Sequence, residues 1–139
     1  MPTLTRWFVK ASLVFFIAAL LAALTLAAGV IWDLPPFVGS LGPVYFHLFL
    51  VGWVTQLIFG VVYWMFPKFS TERPRGNEAL AWGVFFFINI GLVLRVVSEP
   101  LNTVSPSTSW GWLLAISALL QWLAGLGFVI NTWARVKER

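Results

Sequence analysis

The sequence predicts an all-α membrane protein: four transmembrane helices in an antiparallel arc or bundle, with both termini cytoplasmic. Three observations predict it. First, 60% of the 139 residues are hydrophobic and only 10% are charged, with a mean hydropathy of +0.88. A soluble domain carries about 25% charged residues, and a chain this short has too much surface for its volume to hide such apolar content from water. Lipid is therefore the solvent for most of it. Second, the apolar residues fall into four runs, each close to the roughly 20 residues a span requires. Third, the basic residues are confined to alternate connections.

The first span is expected near Val9–Trp32. Its apolar stretch exceeds the roughly 7–15-residue core of a cleavable signal peptide. Asp33-Leu34-Pro35-Pro36 ends it, because proline lacks a helical N–H and restricts the residue before it. The second span is expected near Pro43–Phe66, with Pro43 in its first turn, where the missing N–H costs nothing. Pro67 closes it and Thr71–Asn77 forms a loop. The third span is expected near Ala79–Val97, ended by Glu99-Pro100, and the fourth near Trp110–Trp133. Residues 1–139 thus form a single four-helix domain, with connections short enough to leave sequential helices adjacent and antiparallel.

With four spans, Arg6, Lys10, Lys68, Arg73, Arg75, Arg135, Lys137 and Arg139 all lie on one side, while the opposite loops hold Asp33 and Glu99 and no Lys or Arg. Positive charge stays inside, which places both termini in the cytoplasm of a cell with an inner (cytoplasmic) membrane. Trp7, Trp32, Trp64, Trp82, Trp110, Trp112 and Trp133 stand near span ends, as interfacial anchors do. The composition excludes secreted disulfide scaffolds, nucleic-acid modules and disordered tails. The absence of cysteine excludes thiolate metal sites and covalent haem c attachment.

Polar groups within a membrane are costly and are candidates for function. The second span has His47, Thr55 and Gln56, the third Asn89 and Arg95, and the fourth Ser117 and Gln121. His47, the single histidine, lies four residues after Pro43, about 6 Å into the helix at 1.5 Å per residue. At helical spacing it shares a face with Val51, Val54 and Ile58. An imidazole among bulky apolar side chains suits a pocket for an iron porphyrin; it equally suits an interfacial hydrogen bond. Arg95 is expected at a similar depth. It either snorkels to the outer interface and pairs with Glu99 at i+4, or clamps a carboxylate such as a haem propionate. Gly52, Gln56 and Gly60 recur every four residues, and Ser117, Gln121 and Gly125 repeat the pattern. Both stripes read as helix-packing faces, with Gln56 able to bond across helices.

Haem iron takes His, Met, Cys or Tyr ligands. Met65 is about 27 Å of helical rise from His47, and Tyr45 and Tyr63 have no evident way to oppose it. One chain therefore supplies one good axial ligand. No paired intramembrane carboxylates, Ser/His/Asp set or phosphate loop is visible.

The segment from His47-Leu48-Phe49-Leu50-Val51-Gly52-Trp53 through Tyr63-Trp64-Met65-Phe66-Pro67 resembles the second helix of the haem–copper oxidase and nitric oxide reductase catalytic subunit. The resemblance is clearest over Val44–Pro100. That family carries a histidine near the outer end of this helix, then a Gly-containing stretch and an aromatic end with Pro. The histidine ligates the low-spin haem, and His47 matches its position. The family subunit has about twelve spans in three arcs of four; this chain has the length of one arc and lacks the later copper and haem histidines, so the family's catalysis does not carry over. The resemblance implies a haem-ligating second helix and an arc-like four-helix unit; with the helical face and depth read above, this gives the expectation of haem b on His47, with Val51, Val54 and Arg95 beside it. It implies a role in electron transfer or in binding O2 or NO, with a quinol or another redox partner. The competing expectation is a non-catalytic subunit of a larger respiratory membrane complex, with His47 structural. One histidine per chain also implies a homo-oligomer. A trimer, reproducing the twelve-helix outline and packed through the small-residue stripes, is preferred over a dimer sharing one haem.

Overall fold

The computed structural model describes residues 1–136. It is all-helical and has no strands among the described residues. Four helical rods are long and apolar enough to cross a membrane: Thr3–Ala28, Pro36–Met65, Glu78–Val104 and Thr108–Trp133. The first is α1. The second is composite: a 3₁₀ turn (Pro36–Ser40), α2 (Leu41–His47), a π-helical stretch (Leu48–Thr55) and α3 (Gln56–Met65). The third and fourth rods are α4 and α5.

Local chemistry explains the ends. Asn77 caps α4, its Oδ1 accepting from Leu80 N at 3.1 Å, and Ser107 caps α5 by accepting from Trp110 N; both satisfy donors that a helix start leaves orphaned. Glu78 adds negative charge to the first turn of α4, where the helix dipole favours it. Several expected boundaries are corrected. The first rod runs from Thr3 to Ala28 rather than Val9–Trp32, stopping before the Asp33–Pro36 break. The second rod starts at Pro36 rather than Pro43, because consecutive prolines in the preceding loop preset the 3₁₀ turn. The third rod does not end at Pro100: α4 carries that proline inside and runs to Val104. Helices of this length and hydropathy tolerate an internal proline, and α4 continues through it. Ser98 and Thr103 bracket it, donating to Leu94 O at 2.6 Å and Glu99 O at 3.0 Å.

The rods alternate in direction. Phe8 of α1 meets Phe59 of α3 edge-on at 6.5 Å, while Ala19, further along α1, packs on Val44 and Leu48 of the earlier part of the second rod. Asn89 bonds Gln56 across α4 and α3, and Ser117 bonds the Gly91 carbonyl across α5 and α4. The two extensive interfaces are α4 with α5 and α1 with the second rod. The main interior cluster gathers Phe8, Phe59, Tyr63, Val84, Phe85, Ile88, Leu92 and Ala124. Elsewhere the rods present bulky apolar side chains outward, such as Val14 at 67% and Leu24 at 68% exposure, which only lipid or another chain can cover.

The two small-residue stripes are used differently. A Cβ at Gly52 would stand 2.8 Å from Phe15 Cβ, and one at Gly60 would stand 2.7 Å from Phe8 Cβ. That stripe lets α1 approach, so it is consumed within the chain rather than left for a neighbouring copy. On α5, Ser117 is buried at the α4 contact, but a Cβ at Gly125 would meet nothing within 4 Å. Gly127 makes the close approach instead, against Val84.

Candidate functional site: the His47 flank of the second rod

The π-helical stretch decides where His47 points. Gln56 N bonds the carbonyl of Val51, five residues back, instead of Gly52. The Gly52 carbonyl is taken by the side chain of Gln56, whose Nε2 donates to it at 3.3 Å. Inserting a side chain into the ladder in this way widens the turn. The buried positions of the second rod then recur every four residues, at Val44, Leu48, Gly52, Gln56 and Gly60. A repeat of four holds each face in line along the rod. The positions just before the buried ones, His47, Val51, Thr55 and Phe59, form one flank, and those just after, Tyr45, Phe49 and Trp53, form the other.

The second flank carries an aromatic ladder. Tyr45–Phe49 and Phe49–Trp53 ring centroids are 5.8 and 4.9 Å apart, and Trp53 lies 4.1 Å from Phe16 of α1. The first flank turns the other way: Phe59 stacks on Phe128 of α5 at 3.8 Å with an interplanar angle of 6°, and Val51 packs against the interior cluster. The face expected for His47 with Val54 and Ile58 is therefore corrected. The wider turn replaces them with Thr55 and Phe59; Val54 is half-buried off that flank and Ile58 is 50% exposed.

His47 is half-buried. Its Nδ1 lies 2.9 Å from the Pro43 carbonyl oxygen. A carbonyl only accepts, so the bond requires the proton on Nδ1, and in the neutral ring Nε2 keeps its lone pair. Arg95 Nε and Glu99 Oε2 form an ion pair at 2.8 Å, with side chains 21% and 18% exposed. Their neighbour Val96 packs against the Val44–Leu48 cluster, so the pair stands at the level of His47, near the end of the bundle remote from most basic residues. Arg95 is thus held by Glu99, and the structure brings it to the depth of His47 without spending it on that ring.

Below this level, Asn89 Nδ2 donates to Gln56 Oε1 at 3.0 Å and to Phe85 O at 2.7 Å, and Gln121 Nε2 donates to Ser117 Oγ at 3.1 Å. The chamber between α1, α3, α4 and α5, lined by Phe8, Phe59, Tyr63 and Phe128 among others, holds about 10 Å³, space for one water at most. Larger concavities of about 550 and 570 Å³ lie at the loops, around Glu72–Ala79 and Leu26–Gly39. None of these concavities is lined by His47. Among the described residues no three His, Asp or Glu side chains stand where they could share a metal ion.

No protein family, curated protein or solved structure matches this chain.

Arg135, expected as a tail charge, also has a structural role. It is 1% exposed and closes the opposite end of the bundle. Its Nη2 donates to Tyr63 O at 3.1 Å and Phe66 O at 2.9 Å, and its Nε donates to Pro67 O at 3.1 Å. These carbonyls end the second rod, where the helix leaves acceptors without donors. Burial pushes the Arg135 guanidinium below its ordinary pKa, with Tyr63 acting in the opposite direction. Asn131, one turn earlier, accepts from Asn77 N at 2.8 Å and abuts Gly76, whose φ of +78° makes the loop turn. The signal missed was Pro67: a proline after an apolar helix announces carbonyls that need an outside donor. The expected tail charges Lys137 and Arg139 lie outside the described residues.

Proposed function

We propose that this chain is a multi-pass protein of the inner membrane that binds haem b, built as one four-helix arc on the plan of the haem–copper oxidase catalytic subunit, and acting in electron transfer or in binding O2 or NO. The observation that carries the proposal is the state of His47. Its Nδ1–H is held by the Pro43 carbonyl and its Nε2 lone pair is left over. Ligating histidines are oriented in this way, by a hydrogen bond on the nitrogen that does not bind the metal. The donor fits one axial position of haem iron.

The chain's own residues would do the rest. Val51 and Thr55 continue the His47 flank, with Val54 beside it. Arg95 would offer charge to a haem propionate, shared with Glu99. Haem b supplies a one-electron couple and, where one axial position stays open, a site for a diatomic gas. The basic end, with both termini, faces the cytoplasm by the positive-inside rule, so His47 lies toward the outer surface. A quinol or another redox partner in that membrane would deliver electrons.

One imidazole per chain supplies one axial ligand, which makes the haem site incomplete without further copies. We infer a homo-oligomer, with a trimer preferred and a dimer sharing one haem next. Purification in detergent tests the function directly. The expected result is a red protein with a Soret band, lost in His47→Ala while the helical circular dichroism persists. Full haem retention in that variant refutes the assignment. A colourless wild type would favour a structural subunit of a larger respiratory complex, in which the Pro43 bond is all that His47 does.

A further inference from the structure

We propose that the first two turns of α1 bind the phosphate of an anionic glycerophospholipid. Thr3, Arg6, Trp7 and Lys10 line a concavity of about 210 Å³. Their spacing of i, i+3, i+4 and i+7 puts them on one helix face. The opposite face buries Leu4, Thr5, Phe8 and Ser12 against the bundle. The two cations therefore point away from the protein interior, into the surrounding lipid.

Among the described residues no carboxylate forms an ion pair with either cation; Glu78 lines the adjoining concavity with Thr3, not this one. No Asp or Glu occurs before Asp33. Arg6 spends one N–H, from Nη2, on Thr3 Oγ1 at 3.2 Å, which holds the guanidinium beside the concavity with its other donors free for a phosphate fork. Among the described residues Lys10 has no hydrogen bond or ion pair. Lys10 lies seven residues beyond Thr3, about 10 Å of rise into an apolar helix. Side chains on a helix lean toward its N-terminus, so the Lys10 stem runs back toward Arg6, and the two charges converge on the headgroup level.

The face continues in a way that selects a lipid over a soluble anion. Val14, Ile17 and Leu21 follow on the same face at 67%, 57% and 59% exposure, a track for an acyl chain. Trp7, 52% exposed and 6.4 Å from Phe85 between ring centroids, marks the boundary between head and tail as interfacial tryptophans do. An anionic head with an apolar tail matches both halves; inorganic phosphate matches only one. Anionic lipids are drawn to such juxtamembrane cations.

The test is native mass spectrometry of the full chain released from nanodiscs of equal phosphatidylglycerol and phosphatidylcholine. The wild type should retain phosphatidylglycerol several-fold over phosphatidylcholine. Arg6→Gln and Lys10→Gln should each reduce the preference, and together remove it. Arg73→Gln, in the exposed loop at the same end, should leave it unchanged. No preference in the wild type overturns the proposal. So does an equal loss with Arg73→Gln, which would mean a diffuse field, and so does displacement of the lipid by millimolar inorganic phosphate, which would mean a soluble-anion site. Should the double variant fold poorly, the two single variants and the wild-type competition decide.

Discussion

Gln56 and Asn89 are joined by a 3.0 Å hydrogen bond across α3 and α4, and the same Gln56 side chain holds the Gly52 carbonyl at 3.3 Å. One fully buried amide thus ties two rods together at the point where the π-helical stretch that follows His47 returns to α-helix. The carbonyl it occupies is the one an ordinary α-turn would have offered to Gln56 N.

Replacing Gln56 therefore has two effects. Gln56→Leu should destabilise the protein by about 0.6–2 kcal/mol, the range of interhelical hydrogen bonds in membranes. It should also return the Gly52 carbonyl to the backbone ladder and rotate the His47 flank, lowering haem occupancy. Asn89→Leu should carry the first effect alone. Thermal unfolding in detergent measures the stability, and the Soret absorbance per chain measures the second. Equal haem loss in both variants would show that the π stretch does not orient His47.

Arg135 is the strongest single determinant at the basic end. Arg135→Met removes three hydrogen bonds to carbonyls that have no local donor, and should cost about 2–3 kcal/mol. Arg135→Lys should recover only part of this, because a compact ammonium cannot span the Tyr63, Phe66 and Pro67 carbonyls as a planar fork does. Unfolding midpoints of the three proteins in one detergent check the order wild type, Lys, Met.

Arg95 and Glu99 call for a double-variant design. Arg95→Leu should weaken haem binding or shift its potential if Arg95 serves a propionate, but it also strands Glu99 in the half-buried pair, which is itself destabilising. Arg95→Leu/Glu99→Leu removes that second effect. Haem affinity that stays low in the double variant assigns Arg95 to the haem. Affinity restored to wild type assigns it to Glu99 alone.

The oligomer is checked by mass and stoichiometry together. A trimer should give three chains and one haem per chain, with a five-coordinate component that binds carbon monoxide. A dimer should give half a haem per chain and a six-coordinate low-spin spectrum. A monomer with full haem would overturn both, and the requirement for a second copy with them.

Composition and charge placement by themselves determined the four spans. Long apolar runs in a short chain make four helices long and apolar enough to cross a membrane, and prolines and polar clusters locate the breaks to within about two helical turns. Gln56 as a cross-helix bond was legible too, because an amide midway along a packed apolar rod needs a partner. The direction of His47 was not. It depends on whether the Gly52 carbonyl pairs with the backbone N–H or with the side chain of Gln56, a choice that residue type and spacing leave open. The run of α4 through Pro100 and the burial of Arg135 were not legible either. An arginine at the basic end turns inward once three unpaired carbonyls are brought within reach. Local sequence fixes which groups need partners; only the packed helices decide which partners arrive.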